Sequence, residues 1–151
     1  MPDFYAAFDA EMATAGLRVS GAAIMQRLAS ATDVRPQALV AIRKLRAAGR
    51  KVGALTNNWA NEDQSSKMDA LRGEFDVFIE STRVGLRKPD PRIYQLACSQ
   101  LGVKPAEAVF LDDIGLNLKG ARALGMTTIK VVSLSDALRE LEAVVGVPLL
   151  G

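Results

Sequence analysis

The sequence predicts an α/β fold, a parallel sheet covered by helices on both faces, and three observations predict it. Beyond Gly49, short apolar runs alternate with helical stretches of about ten residues. The connections between them are short, as in sheets whose strands are joined through helices. The polar residues suited to holding a ligand follow the apolar runs, and parallel sheets collect their chemistry at the carboxyl ends of the strands.

The first 35 residues read as helical. Phe4, Phe8, Met12 and Ala15 recur at near-helical spacing, and Gly16 is placed to end that helix. Ser20 suits the N-cap of a second helix whose apolar side carries Ile24 and Leu28. Residues 32–36 form a connector, and Pro36 fits the first turn of a third helix, which shows Leu39, Ile42 and Leu45 and ends near Gly49. A strand over 51–55, a helix over 63–71 and a strand over 75–79 follow. Next come the Lys88, Pro89, Asp90, Pro91 loop, with Asp90 as a cap, and a helix through Leu101. A strand over 108–111 is bounded by two aspartates, a helix over 117–124 stops at Gly125, and 127–132 make a further strand. Ser135 is expected to cap the last helix, which runs to about Val145.

Composition narrows the function. The 151 residues carry 19 basic and 17 acidic side chains, a net charge of +2, which makes no electrostatic case for a nucleic acid partner. The one basic cluster, Arg43, Lys44, Arg46, Arg50 and Lys51, reads as the wet face of a helix or as a patch for an anionic partner. With no histidine, Ser–His–Asp and Cys–His catalysis and imidazole zinc sites are excluded. The single cysteine, Cys98, lies among apolar neighbours and is expected to be a buried thiol. No run of about 18 apolar residues and no basic-then-apolar leader is seen, so neither a membrane span nor a signal peptide is expected, and a reducing cytoplasm fits.

Three strand-end signals carry chemistry. Thr56, Asn57 and Asn58 supply a hydroxyl, amides and main-chain N–H groups suited to phosphate oxygens. Lys88, stiffened by Pro89 and Pro91, offers a directed ammonium that can neutralise a transferring phosphoryl group. Asp112 and Asp113 place two carboxylates side by side after an apolar strand, an arrangement rarely kept without a cation, and hard oxygen ligands suit magnesium. Asn117 is in reach of those carboxylates or of the lysine. Each signal alone also reads as ordinary structure: an Asx or Thr turn, a helix-start loop with a solvated lysine, an exposed turn with a helix cap.

In their order and strand-end positions, the three signals resemble the later motifs of the haloacid dehalogenase superfamily. Residues 78–81 (FIES), 84–89 (VGLRKP) and 110–119 (FLDDIGLNLK) closely resemble the phosphatase half of soluble epoxide hydrolases and related bacterial phosphatases. The resemblance implies a Rossmann-like core over residues 36–151, while residues 1–35 resemble part of that family's helical cap. It implies that Thr56, Asn57 and Lys88 bind phosphate, and that Lys88, Asp112 and Asp113 form the catalytic group. It further implies that Asp113 and Asp112 hold magnesium, with Asn58 and Asn117 in support. The implied substrate is a small organic phosphate monoester.

The family's reaction begins at an aspartate ending the first strand, in the pattern Asp-x-Asp. The first aspartate forms an aspartyl-phosphate, and the second protonates the leaving group and then activates water. Neither is placed in this chain. Asp9 and Glu11 have the spacing, but the apolar period around them is helical. The core is therefore expected to lack its first strand, which in relatives lies between the strand ending at Thr56 and the one ending at Asp112. Such a gap would expose two rows of backbone groups, so either the neighbours close up or a partner chain inserts a segment, as in a homodimer or strand-swapped assembly. The expected function is phosphate monoester hydrolysis in the complete form, with this chain inactive alone. A non-catalytic phosphate-binding or interaction module is the alternative. A phospho-receiver domain is excluded because there the acidic pair comes before the lysine.

Overall fold

In a computed structural model of the chain, residues 2–18, 20–23, 35–58, 69 and 71–150 are described. They fall into two units, Met1–Arg35 and Pro36–Gly151. Among the described residues, no helix is long and apolar enough to cross a membrane.

In the first unit, α1 spans Pro2–Thr14. It ends as its sequence suggests: Gly16 adopts φ 74°, a left-handed conformation that costs glycine little, and Leu17 N–H donates to Met12 O at 2.9 Å. Ser20 Oγ accepts from Ala23 N–H at 3.3 Å, so it does cap the helical residues 21–23. Asp9 sits within α1 and accepts from Gly21 N–H at 2.6 Å. Ile24 and Leu28 lie outside the described residues.

The second unit begins with α2 (Pro36–Ala47), with proline in its first turn, followed by β1 (Gly53–Thr56). Most of the helix expected over 63–71 lies outside the described residues. β2 (Val77–Glu80) runs directly into a short helix that sequence reading missed, α3 (Ser81–Val84). α4 (Pro91–Leu101) starts at Asp90, whose carboxylate accepts from Arg92 N–H, and a 3₁₀ turn covers Pro105–Glu107. β3 (Val109–Asp112), α5 (Gly115–Ala123), β4 (Thr127–Lys130) and α6 (Leu134–Val145) complete it. The cap of α6 is Ser133, which accepts from Asp136 N–H, rather than Ser135. β4 ends two residues before the expected Val132, which is left 87% exposed.

The strands form two parallel pairs. β1 pairs with β2 from Gly53↔Val77 to Thr56↔Glu80, and β3 pairs with β4 from Val109↔Thr127 to Asp112↔Lys130. The single continuous sheet implied by an α/β reading is thus divided, because β1 and β3 share no ladder. The neighbours have not closed up. Between them lies a cleft of about 970 Å³, bounded along the two strands by residues 53–55 and 108–111.

Two hydrophobic clusters cover the two faces. Along β3, Phe110 joins Ile93, Tyr94, Ala97, Leu118 and Ala121, which places α4 and α5 together. Its neighbours Val109 and Leu111 pack with Ala41, Leu45, Leu138 and Leu141, which places α2 and α6 on the other side. The alternation follows from the two-residue period of a strand. Burial on both faces explains why the strands read as nearly unbroken apolar runs. The basic residues near α2 are tied down rather than simply solvated. Arg43 pairs with Glu74 and Arg46 with Asp76, while Lys44, Arg50 and Lys51 donate to the carbonyls of Leu149, Val145 and Leu101.

Ile129 is fully buried in the second cluster. Ile129→Ala is expected to lower the unfolding free energy by about 2–4 kcal/mol, against under about 0.5 kcal/mol for Val132→Ala, as read from urea unfolding.

Candidate active site

The carboxyl ends of β1 and β3 are drawn together by one loop. Asn57, just past β1, uses its whole carboxamide on Lys88: Nδ2 donates to Lys88 O at 2.9 Å, and Lys88 N–H donates to Asn57 Oδ1 at 2.9 Å. The Lys88 ammonium then reaches the other strand pair, donating to Asp112 Oδ2 at 2.8 Å. Both partners are buried, the Lys88 side chain 12% and the Asp112 side chain 5% exposed.

Asp112 Oδ1 accepts from Ile114 N–H at 2.8 Å and from Asn117 Nδ2 at 3.0 Å. Burial pushes the Asp112 carboxyl up, but the hydrogen bonds from Lys88, Ile114 and Asn117 outweigh it and hold the group below the usual carboxylate range. Asn117 is fixed in turn, its carbonyl accepting from the Tyr94 hydroxyl at 2.8 Å. Burial first, and the Asp112 charge second, push that phenol up to about 12, so it stays a donor.

Behind Lys88, the peptide to Pro89 is cis, and α5 passes so close that a Cβ on Gly120 would sit 2.8 Å from Pro89 O and 3.1 Å from Tyr94. Only glycine fits there without a shift of backbone.

The remaining expected residues divide. The Thr56 hydroxyl oxygen, at the tip of β1, is buried and has no hydrogen-bond partner among the described residues. Buried hydroxyls are normally satisfied, so this one has capacity left for a ligand. Asp113 is exposed; its carbonyl accepts from Lys130 Nζ, and its carboxylate has no partner among the described residues. Asn58 turns toward β2, where its N–H donates to Ser81 Oγ at 3.1 Å and its Nδ2 to Glu80 Oε1 at 3.0 Å. Glu80, buried and paired with Arg72 and Arg83, escaped the sequence reading as a site-supporting group. Its signal was present, since it is a carboxylate at the end of an apolar strand.

Among the described residues, no group of three acidic or other ligating side chains gathers as a cage for a metal ion. Magnesium does not need one, because it keeps several waters and takes one or two carboxylates. Asp113, beside Asp112 and with no side-chain partner among the described residues, fits that pattern. Asp112 brings hard oxygens already shared among three donors.

Lys88→Met would leave the Asp112 carboxylate buried without its cation and should cost about 3 kcal/mol at neutral pH, with K88M/D112N recovering most of it in urea unfolding. The pH dependence separates the proteins. In the native chain the lowered Asp112 pKa contributes stability above the ordinary aspartate value of about 3.9, which is lost as pH falls through the folded value. In K88M the Lys88 hydrogen bond and charge no longer lower the Asp112 pKa, so its folded value moves up from the native one. The K88M deficit should therefore narrow as pH falls through the ordinary aspartate value of about 3.9.

The sequence model for haloacid dehalogenase-like hydrolases matches residues 3–125. Bifunctional epoxide hydrolase 2 of Sus scrofa is 44% identical over 132 residues, covering 84% of this chain and 24% of its own length. The chain spans less than half the length of the curated relatives it matches, from 10% to 43%. Among solved structures, a HAD phosphatase from Thermococcus onnurineus superposes with a TM-score of 0.66 at 26% identity, covering 92% of this chain and 70% of that one. A HAD family enzyme from Bacteroides thetaiotaomicron, solved with magnesium and inorganic phosphate, shares the fold at a TM-score of 0.60 and 24% identity, over 70% of this chain and 58% of that one. With that family model matching residues 3–125 and relatives more than 40% identical over most of its length, this chain belongs to the haloacid dehalogenase-like hydrolases.

Proposed function

We propose that this chain supplies the phosphate-binding and metal-binding part of a phosphohydrolase acting on small organic phosphate monoesters. The observation that carries the reading is the Lys88–Asp112 pair, which links the carboxyl ends of β1 and β3, together with a Thr56 hydroxyl at the tip of β1 that has no partner among the described residues. Thr56 and the Asn57 N–H would donate to phosphoryl oxygens, since Asn57 has spent its side chain on Lys88 and the Asn58 N–H goes to Ser81 Oγ. The Lys88 ammonium offsets phosphoryl charge in a site shielded from water, where such stabilisation is strongest. Asp113 and Asp112 would hold magnesium, which when bound neutralises charge on the transferring group. Soluble conditions in a reducing cytoplasm suit the single thiol, Cys98, which is buried and whose pKa burial pushes up.

The covalent route needs an attacking carboxylate. Asp112 is committed to Lys88, and Asp9 lies within helix α1, bonded to Gly21, rather than at a strand tip. On this reading the attacking aspartate of the complete enzyme lies outside the described residues and forms the aspartyl-phosphate there. A second reading, phosphate binding without turnover, draws on the Asp112 carboxylate being satisfied by three donors from the chain itself, Lys88, Ile114 and Asn117.

With p-nitrophenyl phosphate and magnesium, this chain should turn over near background, while a chain extended upstream should be active. In the extended enzyme, Lys88→Ala should lower kcat by about 100-fold or more. Appreciable hydrolysis by the 151 residues alone would sink the reading. Magnesium-dependent phosphate binding without turnover in the extended chain would favour the second.

A further inference from the structure

Glu80 is a buried carboxylate at the carboxyl end of β2 and the register partner of Thr56, and the chemistry proposed above gives it no task. Its two oxygens are divided between two kinds of partner. Oε2 takes the guanidinium groups, Arg72 Nη2 and Arg83 Nε, the latter at 2.9 Å. The Arg72 head also lies 5.5 Å from the centre of the Phe78 ring, which holds it from a second side. Oε1 takes the Asn58 amide, whose Nδ2 donates at 3.0 Å. A buried ion pair is seldom worth more than apolar groups of the same volume, so charge balance alone is a weak reason for a carboxylate here. The Asn58 bond supplies a stronger one.

Asn58 is held along its length. Its N–H donates to Ser81 Oγ at 3.1 Å, and its Oδ1 accepts from Thr82 N–H at 3.4 Å and Thr82 Oγ1 at 3.2 Å. Ser81 Oγ lies 3.2 Å from both Asn58 O and Asn58 Oδ1, and its single proton serves one of them. Glu80 sets which way the amide faces: with Nδ2 on the carboxylate, Oδ1 is turned to Ser81 and Thr82. The preceding residue, Asn57, carries the clamp on Lys88. Two adjacent residues thus tie the turn after β1 to α3 on one side and to the Lys88 loop on the other. We infer that Glu80 is a positioning residue of the site: acting through Asn58, it fixes the turn at 56–58 and with it the Thr56 hydroxyl and the Lys88 loop. The consequence for phosphate rests on the phosphohydrolase reading; the positioning does not.

A double-mutant cycle on the 151-residue chain separates this role from that of a plain ion pair. Amide exchange is followed at Lys88, whose N–H is bonded to Asn57 Oδ1, with the buried Ile129 as the reference for global stability. E80A and N58A should each speed Lys88 exchange about tenfold or more relative to Ile129. E80A/N58A should match N58A within about twofold. R83Q, at an arginine side chain 65% exposed, should leave Lys88 unchanged. Native exchange at Lys88 in E80A, an E80A effect that persists undiminished in the N58A background, or loosening by R83Q equal to that by E80A would overturn the inference. N58A keeps both ion pairs, so it decides the matter even if E80A fails to fold: native exchange at Lys88 in N58A is equally fatal. Titration with inorganic phosphate and magnesium gives a second readout, in which E80A and N58A should both weaken binding about tenfold or more. Absence of phosphate binding by the native chain would count against the phosphohydrolase reading, while the exchange cycle still decides the role of Glu80.

Discussion

The second unit is organised around a buried ion pair placed between two strand pairs that do not touch through a ladder. Lys88 is bound to β1 through its own backbone, by both ends of the Asn57 carboxamide, and to β3 through its side chain, by Asp112. A buried ammonium or carboxylate is costly unless it is paired and its remaining hydrogen-bonding capacity is met. Here Ile114 and Asn117 complete the carboxylate, and Tyr94 holds Asn117 from the core. The polar network thus ties the two strand pairs together at their carboxyl ends, beside the hydrophobic cluster that Ile79 of β2 and Phe110 of β3 already share.

The same arrangement explains where packing is dense and where it is open. Around Lys88 the approach is close enough that only glycine fits at position 120. Away from the carboxyl ends, the two hydrophobic clusters diverge to opposite faces of β3, and the space between β1 and β3 stays open.

Much of the element order was legible because punctuation in this chain is strong. Gly16, Pro36 and Asp90 ended or began helices where their backbone preferences said they would. α3 was not legible, since four residues give too little periodicity to register. Ser133 and Ser135 offer the same hydroxyl, and the structure puts Ser133 at the N-cap of α6, accepting from Asp136 N–H. Asn57 and Asn58 carry identical chemistry on adjacent residues, yet one clamps the lysine loop while the other turns to Glu80 and Ser81. Along extended backbone successive side chains point to opposite sides, so neighbours just past a strand end reach different partners.

By itself the sequence determined the class of fold, the order of the chemical groups along it, and the exclusion of histidine chemistry, because these depend on local periodicity and residue type. Only the tertiary structure decided that Asp112 rather than Asp113 meets Lys88, that the Thr56 hydroxyl is left unpaired, and that the sheet is split rather than closed. Those outcomes depend on which distant segments approach one another and from which side. No local preference encodes that.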